Sequence, residues 1–386
     1  MAHREKEQES LANEGAGEAA SMARWLRGFG QEEPSKRILS MCLTMAARAA
    51  NPVLVKQLLE QGADPEMAAH PDHETDRAAV YCGDGDNPDE WTTAWSAAIS
   101  VDSVECLEAM VGAGMNSVRP RLLISGLVEQ GAFLAAVAAS RGAARCFAMA
   151  MGWAVERAGL DLKHILSRSW RGLVSSGARA PEVEAMARVL QRAGGDINKV
   201  GMLGDSSLSP LESAAGGSVE ILRGLLAAGA DPRAGCALNE AAESWSEESA
   251  QCMQELLKAG CDPNQARHGC AALLSAVECG SVQKVSMLID AGASLDTVSP
   301  QGVGLLAMAA ARGKSGCVRL LLEKGFDPDE VVDGLPLAEW VVGYRGYTPG
   351  QGDIPMVLGI IKAASEAKQL AIACPSANQK PSGPRL

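Results

Sequence analysis

The sequence predicts an all-α fold, an α-solenoid of about nine stacked helix–turn–helix units, on three observations. First, one nine-residue stretch recurs almost intact as LLEQGADPE (58–66), LLAAGADPR (225–233), LLKAGCDPN (256–264) and LLEKGFDPD (321–329). Second, looser copies lie between them: MVGAGMNSV (110–118), VERAGLDLK (155–163), LQRAGGDIN (190–198) and LIDAGASLD (288–296). The shared Gly then falls at 62, 114, 159, 194, 229, 260, 292 and 325, and the last five intervals are 35, 35, 31, 32 and 33 residues. A fixed period of this length marks an array whose single units cannot bury their own apolar faces. Third, the 386 residues are 47% apolar but only 4% aromatic. The core must therefore be built from Ala, Leu, Val and Met, which pack helices closely. A sheet sandwich would favour β-branched and aromatic residues.

Residues 1–33 are polar, contain no apolar signal core and are expected to be flexible. The array is expected over 34–365, with Ser35-Lys36-Arg37 opening the first helix. In each unit an amphipathic run ends at the shared Gly, the residue that takes positive φ without a Cβ penalty just past a helix. The Asp after it can bond its own local backbone, and the Pro prevents continuation. The unit 209–232, SPLESAAGGSVEILRGLLAAGADP, shows the rest of the pattern. Ser209 caps and Pro210 opens a first helix. Ala214 and Ala215 allow close packing, and Val219, Leu222, Leu225 and Leu226 form the apolar stripe of a second helix. In two later units Gly280 and Gly313 stand twelve residues before the terminal Gly, between the helices.

On these residues the chain resembles the ankyrin repeat family over roughly 38–365, most specifically over 205–343. The resemblance implies stacked helix pairs that bind a protein partner through the concave face and turn tips. It departs from the family where Glu212, Asn239 and Leu274 replace the His of the helix start. The hydrogen bonds that this His makes between units must be missing or replaced. The third and fourth units are degenerate. Residues 333–365, with the PLAEW start and the interrupting loop YRGYTPGQGD, read as a terminal cap, and 366–386 as a flexible tail.

The formal charge of −12 argues against a nucleic-acid partner. The 11 cysteines are scattered, and Cys106, Cys146, Cys252 and Cys317 sit inside helical apolar patterns. They read as reduced, buried thiols of a cytoplasmic protein. The longest apolar run, CFAMAMGWAV (146–155), is too short to span a bilayer, so no membrane partner is expected. No cofactor or metal site is expected either. GVGLLA (302–307) matches a dinucleotide fingerprint but follows a turn rather than a strand. Gly313-Lys314-Ser315 lacks the phosphate-loop Gly five places earlier, where Met308 stands. The stretch 70–91 holds His70, His73 and Cys82 without zinc or calcium spacing. With no visible nucleophile and base pair, the chain reads as not an enzyme.

Charge is unevenly distributed. Residues 60–110 hold thirteen acids against the single base Arg77, which equals the net charge of the whole chain. Such a patch steers a partner with a basic surface. The candidate partner-binding residues are Asp84, Asp86, Asp89, Glu90, Trp91, Trp95 and Trp245. Trp91 and Trp95 lie at the start of the second unit's first helix, with Trp95 in the position of the family's His. Trp245 lies with Glu243, Glu247 and Glu248 in an insertion between helices. Each Trp reads either as core or as an exposed interaction hot spot. The function expected is a non-catalytic protein-binding scaffold. Two alternatives remain: a bacterial immunity protein or host-directed effector on the same repeats, and an enzyme with a site in the degenerate 60–200 region.

Overall fold

The structure, a computed structural model, describes residues 36–65, 93–117, 135, 137–157, 162–199, 208–267, 270–344 and 353–373. Among them the helices come in pairs. These are α1 (Lys36–Arg48) with α2 (Pro52–Glu60), α3 (Ala94–Ser100) with α4 (Val104–Ser117), and a short helix at 137–141 with α5 (Ala144–Arg157). Next come α6 (Leu162–Val174) with α7 (Ala180–Arg192), α8 (Pro210–Ala215) with α9 (Val219–Ala227), and α10 (Ala237–Glu243) with α11 (Ser249–Lys258). The last are α12 (Ala272–Cys279) with α13 (Val282–Asp290), α14 (Leu305–Ala311) with α15 (Ser315–Glu323), and α16 (Leu337–Gly343) with α17 (Ile354–Ala373). Among the described residues strand is confined to short antiparallel pairings before first helices: β1 (Ala266–Arg267) with β2 (Cys270–Ala271), β3 (Val331–Val332) with β4 (Leu335–Pro336), and a bridge between Val298 and Gly304. The all-α repeat solenoid expected from the sequence is the fold observed.

Contacts group the residues into two compact units, Met1–Pro210 with Arg223–Ala230, and Leu211–Leu222 with Asp231–Leu386. In the first, α1 packs on α3, α2 on α4, and α5 on α7. In the second, the first helices stack as α10, α12, α14 and α16, and the second helices as α11, α13, α15 and α17. Within each unit these helices therefore bury their apolar stripes against their counterparts in the next pair.

The recurring nonapeptide is explained by its turn. Gly62, Gly194, Gly229, Gly260, Gly292 and Gly325 all have φ between 89° and 98°. The N–H of the following residue donates back to the carbonyl of Leu58, Leu190, Leu225, Leu256, Leu288 or Leu321, at 2.8–3.2 Å. Those six leucines are at most 2% exposed. One Leu thus fills the core with its side chain and closes the helix end with its carbonyl. The Asp then accepts from the N–H two residues on, at 2.9 Å for Arg233 on Asp231, Asn264 on Asp262 and Asp329 on Asp327. The Pro between them has no N–H to leave unpaired. Gly114 departs from the expectation: α4 runs through it to Ser117. Gly159 and the segment 1–33 lie outside the described residues.

Replacement of the helix-start His has two outcomes. Glu212 Oε1 accepts from the Cys236 N–H of the next pair at 2.8 Å, and Asn239 Nδ2 donates to the Cys270 carbonyl at 2.9 Å. Leu274 is buried at 2% exposure and contributes packing instead. The register of the second pair differs from that expected. Thr93 is the N-cap, accepting from the Ser96 N–H at 3.3 Å. Asp102, at φ 51°, lies nine residues beyond it, as Gly280 and Gly313 lie nine beyond the N-caps Ala271 and Gly304. Ser96 therefore occupies the His position and Trp95 the preceding apolar one. Thr92 and Thr93 are equivalent as caps in sequence; the hydrogen bond selects Thr93.

Two acids counted in the negative patch serve the scaffold. Asp102 accepts from the N–H groups of Arg145 (3.2 Å) and Cys146 (2.8 Å), capping α5, and Glu105 pairs with Arg145 at 2.9 Å. At the other end, α17 continues to Ala373, so 366–373 are helical rather than flexible tail. SEAKQLAIA is rich in strong helix formers. Lys368 anchors the helix to Asp327 (2.5 Å) and Asp329 (3.0 Å). The rest of the expected tail, 374–386, lies outside the described residues.

Candidate functional site

Of the candidate residues, Asp84, Asp86, Asp89, Glu90 and Trp91 lie outside the described residues. Trp95 is half-buried in the first compact unit. Trp245 belongs to the second and is 79% exposed. The other described tryptophans differ. Trp170 is fully buried, Trp153 is half-buried, and Trp340 is 8% exposed, its Nε1–H donating to Asp333 at 2.9 Å. Trp245 is thus the large aromatic that the fold leaves in water.

Its position is held from both sides. Trp245 follows α10, whose last carbonyls have no partner within the helix. Lys284, on α13 and only 4% exposed, donates from Nζ to the carbonyls of Ala241 (2.8 Å), Ser244 (2.6 Å) and Ala242 (3.5 Å). A cation at a helix C-terminus also meets the negative end of the helix dipole. Burial away from water pulls the Lys284 pKa below its ordinary value. On the other side, Ser244 Oγ donates to the Gly216 carbonyl, and Ser249 Oγ donates to the Ser246 carbonyl at 2.6 Å. Glu248, expected to stand with Trp245 as a surface acid, accepts from the Val219 N–H at 2.9 Å and caps α9.

Around the indole the ends of three consecutive first helices meet. Lys314 Nζ lies 5.4 Å from the Trp245 ring centroid, within cation–π range. Glu243, Ser275, Glu278, Cys279 and Arg312 complete the depression. Ser275 Oγ donates to Glu243 Oε1 at 3.1 Å, and Arg312 Nη2 pairs with Glu278 Oε1 at 2.9 Å. Arg312 Nε is buried with no partner among the described residues. Cys279 donates to the Glu243 carbonyl at 3.1 Å, and burial raises its thiol pKa. Burial also pushes Cys261 and Cys317 up to about 11. These thiols stay protonated and serve as small apolar groups, not nucleophiles. Among the described residues no group of His, Cys, Asp and Glu could hold a metal ion. None of their helices is long and apolar enough to cross a membrane.

Lys284 and Arg312 were not singled out by the sequence, and Lys314 only within the rejected phosphate-loop match. A register signal was available: Glu243 and Glu278 both stand seven residues after their N-caps, Cys236 and Ala271, and Arg312 stands eight after Gly304. Stacking places these positions side by side, which no spacing within one unit reveals.

The match to a family model agrees with this geometry. Residues 238–331, which span α10 to α15, match the family model described as ankyrin repeats in three copies. The E3 ubiquitin-protein ligase KEG of Arabidopsis thaliana is 40% identical over 82 residues. That alignment spans 21% of this chain and 5% of the ligase. A solved structure titled as the ankyrin repeat domain of Bcl-3, a unique member of the IkappaB protein family, covers 59% of this chain and 97% of its own, at 20% identity and a TM-score of 0.44. Over residues 238–331, where α10 to α15 stack helix on helix, the chain is thus similar to the ankyrin repeat family.

Proposed function

We propose that this chain is a non-catalytic scaffold that binds a protein partner, with Trp245 as the centre of the contact. Ankyrin repeats are in general protein-interaction modules. The observation that carries the finer reading is the 79% exposure of Trp245 on a turn fixed by Lys284. A large amphipathic ring that is already ordered loses little entropy when a partner covers it, and such rings dominate interface energies. Glu243, Arg312 and Lys314 border it with both signs of charge, which suits a polar rim around an apolar anchor. The buried thiols of Cys261 and Cys317, which burial keeps protonated, suit a reducing compartment, in keeping with a cytoplasmic site of action.

The test is a photo-crosslinking amino acid in place of Trp245, used in native cells to identify the partner. Affinity is then measured for the wild type and for Trp245→Ala. The expected loss is about 2 kcal/mol or more, with faster dissociation and unchanged helicity. An identified partner that binds Trp245→Ala as tightly as the wild type removes Trp245 from the interface.

A further inference from the structure

The last described helix pair presents a face that every preceding pair of the second compact unit has covered. Ala242, Val277, Ala310 and Val342 each stand six residues after the N-cap of α10, α12, α14 and α16. The first three are 0% exposed, on helices packed against by the next first helix. Val342 is 71% exposed. Glu339 repeats the argument with a polar group. It stands three residues after its N-cap, as do Glu212 and Asn239, whose side chains bond the backbone of the following pair. Glu339 and Val342 lie three apart in one helix, so they share a face. With Leu358 and Ile361 of α17 they line a groove of about 910 Å3, flanked by Asp329, Glu366 and Lys362.

We propose that this face docks a helix–turn–helix hairpin of a separate protein, seated as a further repeat would be. The surface itself specifies the occupant. It must offer a small apolar helix face to Val342, as α12 and α14 offer theirs to Ala242 and Val277. It must place a backbone N–H before its first helix within reach of Glu339, as Cys236 does for Glu212. Its rim must be basic, since Asp329 is already paired with Lys368 and the remaining acids, Glu339 and Glu366, outnumber Lys362. A second copy meeting this face with its own would set Glu339 and Glu366 against the same acids, which disfavours self-pairing.

The probe is a purified designed protein of three idealised ankyrin-type repeats. It lacks its N-terminal cap, so the stacking face of its first unit is open, and it carries lysines on the rim. Titration calorimetry against the full chain is expected to show binding that Val342→Asp weakens at least tenfold, while Val53→Asp, on α2 of the first compact unit, leaves it unchanged. Because Val342 is exposed, the substitution should leave helicity unaltered, which circular dichroism checks. Glu339→Lys should weaken the lysine-rimmed probe and strengthen a glutamate-rimmed one, a reversal that misfolding would not produce. Equal affinity of wild type and Val342→Asp, or no binding by the wild type, overturns the proposal. So does sedimentation showing that the full chain dimerises through Val342, which would assign the face to a second copy.

Discussion

Lys284→Met removes one ammonium and keeps an apolar stem of similar length, so it isolates the hydrogen bonds that hold the Trp245 turn. Two of the contacts, 2.6 Å to Ser244 and 2.8 Å to Ala241, are short and charge-assisted, and the third, at 3.5 Å to Ala242, adds little. Hydrogen bonds to a charged group contribute about 1.5–3 kcal/mol each, so the two short ones are worth roughly 3–6 kcal/mol gross. Against this stands the cost of burying the charge, visible in the lowered Lys284 pKa. Methionine does not bear that cost. The net loss should therefore be about 2–3 kcal/mol, with the carbonyls left unpaired as its main component. Repeat arrays can unfold in parts, so two observables are needed: urea unfolding followed by circular dichroism, and Trp245 emission in folded protein, taken as the difference from a Trp245→Phe variant because the chain has seven tryptophans. A shift in Trp245 emission with a lowered unfolding midpoint is expected. If Lys284→Met matches the wild type in both, Lys284 does not hold the turn and the account of how Trp245 is positioned is wrong.

Replacing Leu225 or Leu256, each 0% exposed, by Ala should cost roughly 2–5 kcal/mol in denaturant unfolding, because the site loses contacts and keeps a cavity. A loss under about 1 kcal/mol at both would contradict the repeat register. Gly224→Ala should cost about 1–3 kcal/mol, since its Cβ would come 2.4 Å from Val183 Cβ and 2.6 Å from the Ala180 carbonyl oxygen. A neutral result would mean that α9 sits further from α7. The raised pKa of Cys317 has a definite sign: the folded chain keeps a proton that the unfolded chain loses from about pH 9. Its contribution is present below pH 9 and is lost as pH rises to about 11, by roughly 3 kcal/mol. Cys317→Ala should therefore flatten the fall in stability over that range relative to wild type, and an unchanged slope would show the thiol to be solvated.

The sequence by itself determined the repeat, because the turn chemistry is local. Gly at positive φ, Asp accepting two residues on and Pro without an N–H act within a few residues, so Gly229-Ala230-Asp231-Pro232 reads the same in isolation as in the fold. The apolar stripe ending at Leu225 was legible for the same reason. Where two residues could play one local part, the sequence was silent. Thr92 and Thr93 are both good caps, and the choice between them decides where Trp95 falls. The end of α17 depends on Lys368 reaching Asp327 and Asp329, roughly forty residues away. The surroundings of Trp245 were decided only by tertiary structure. Lys284 and Lys314 come from later units, 39 and 69 residues along the chain, and stand at the starts of the second helices α13 and α15; they meet the Trp245 turn because α12 and α14 stack in succession on α10 and bring those starts to its end. The period determines that units stack, but which side chains meet across the stack, and which remain in water, depends on contacts no single unit contains.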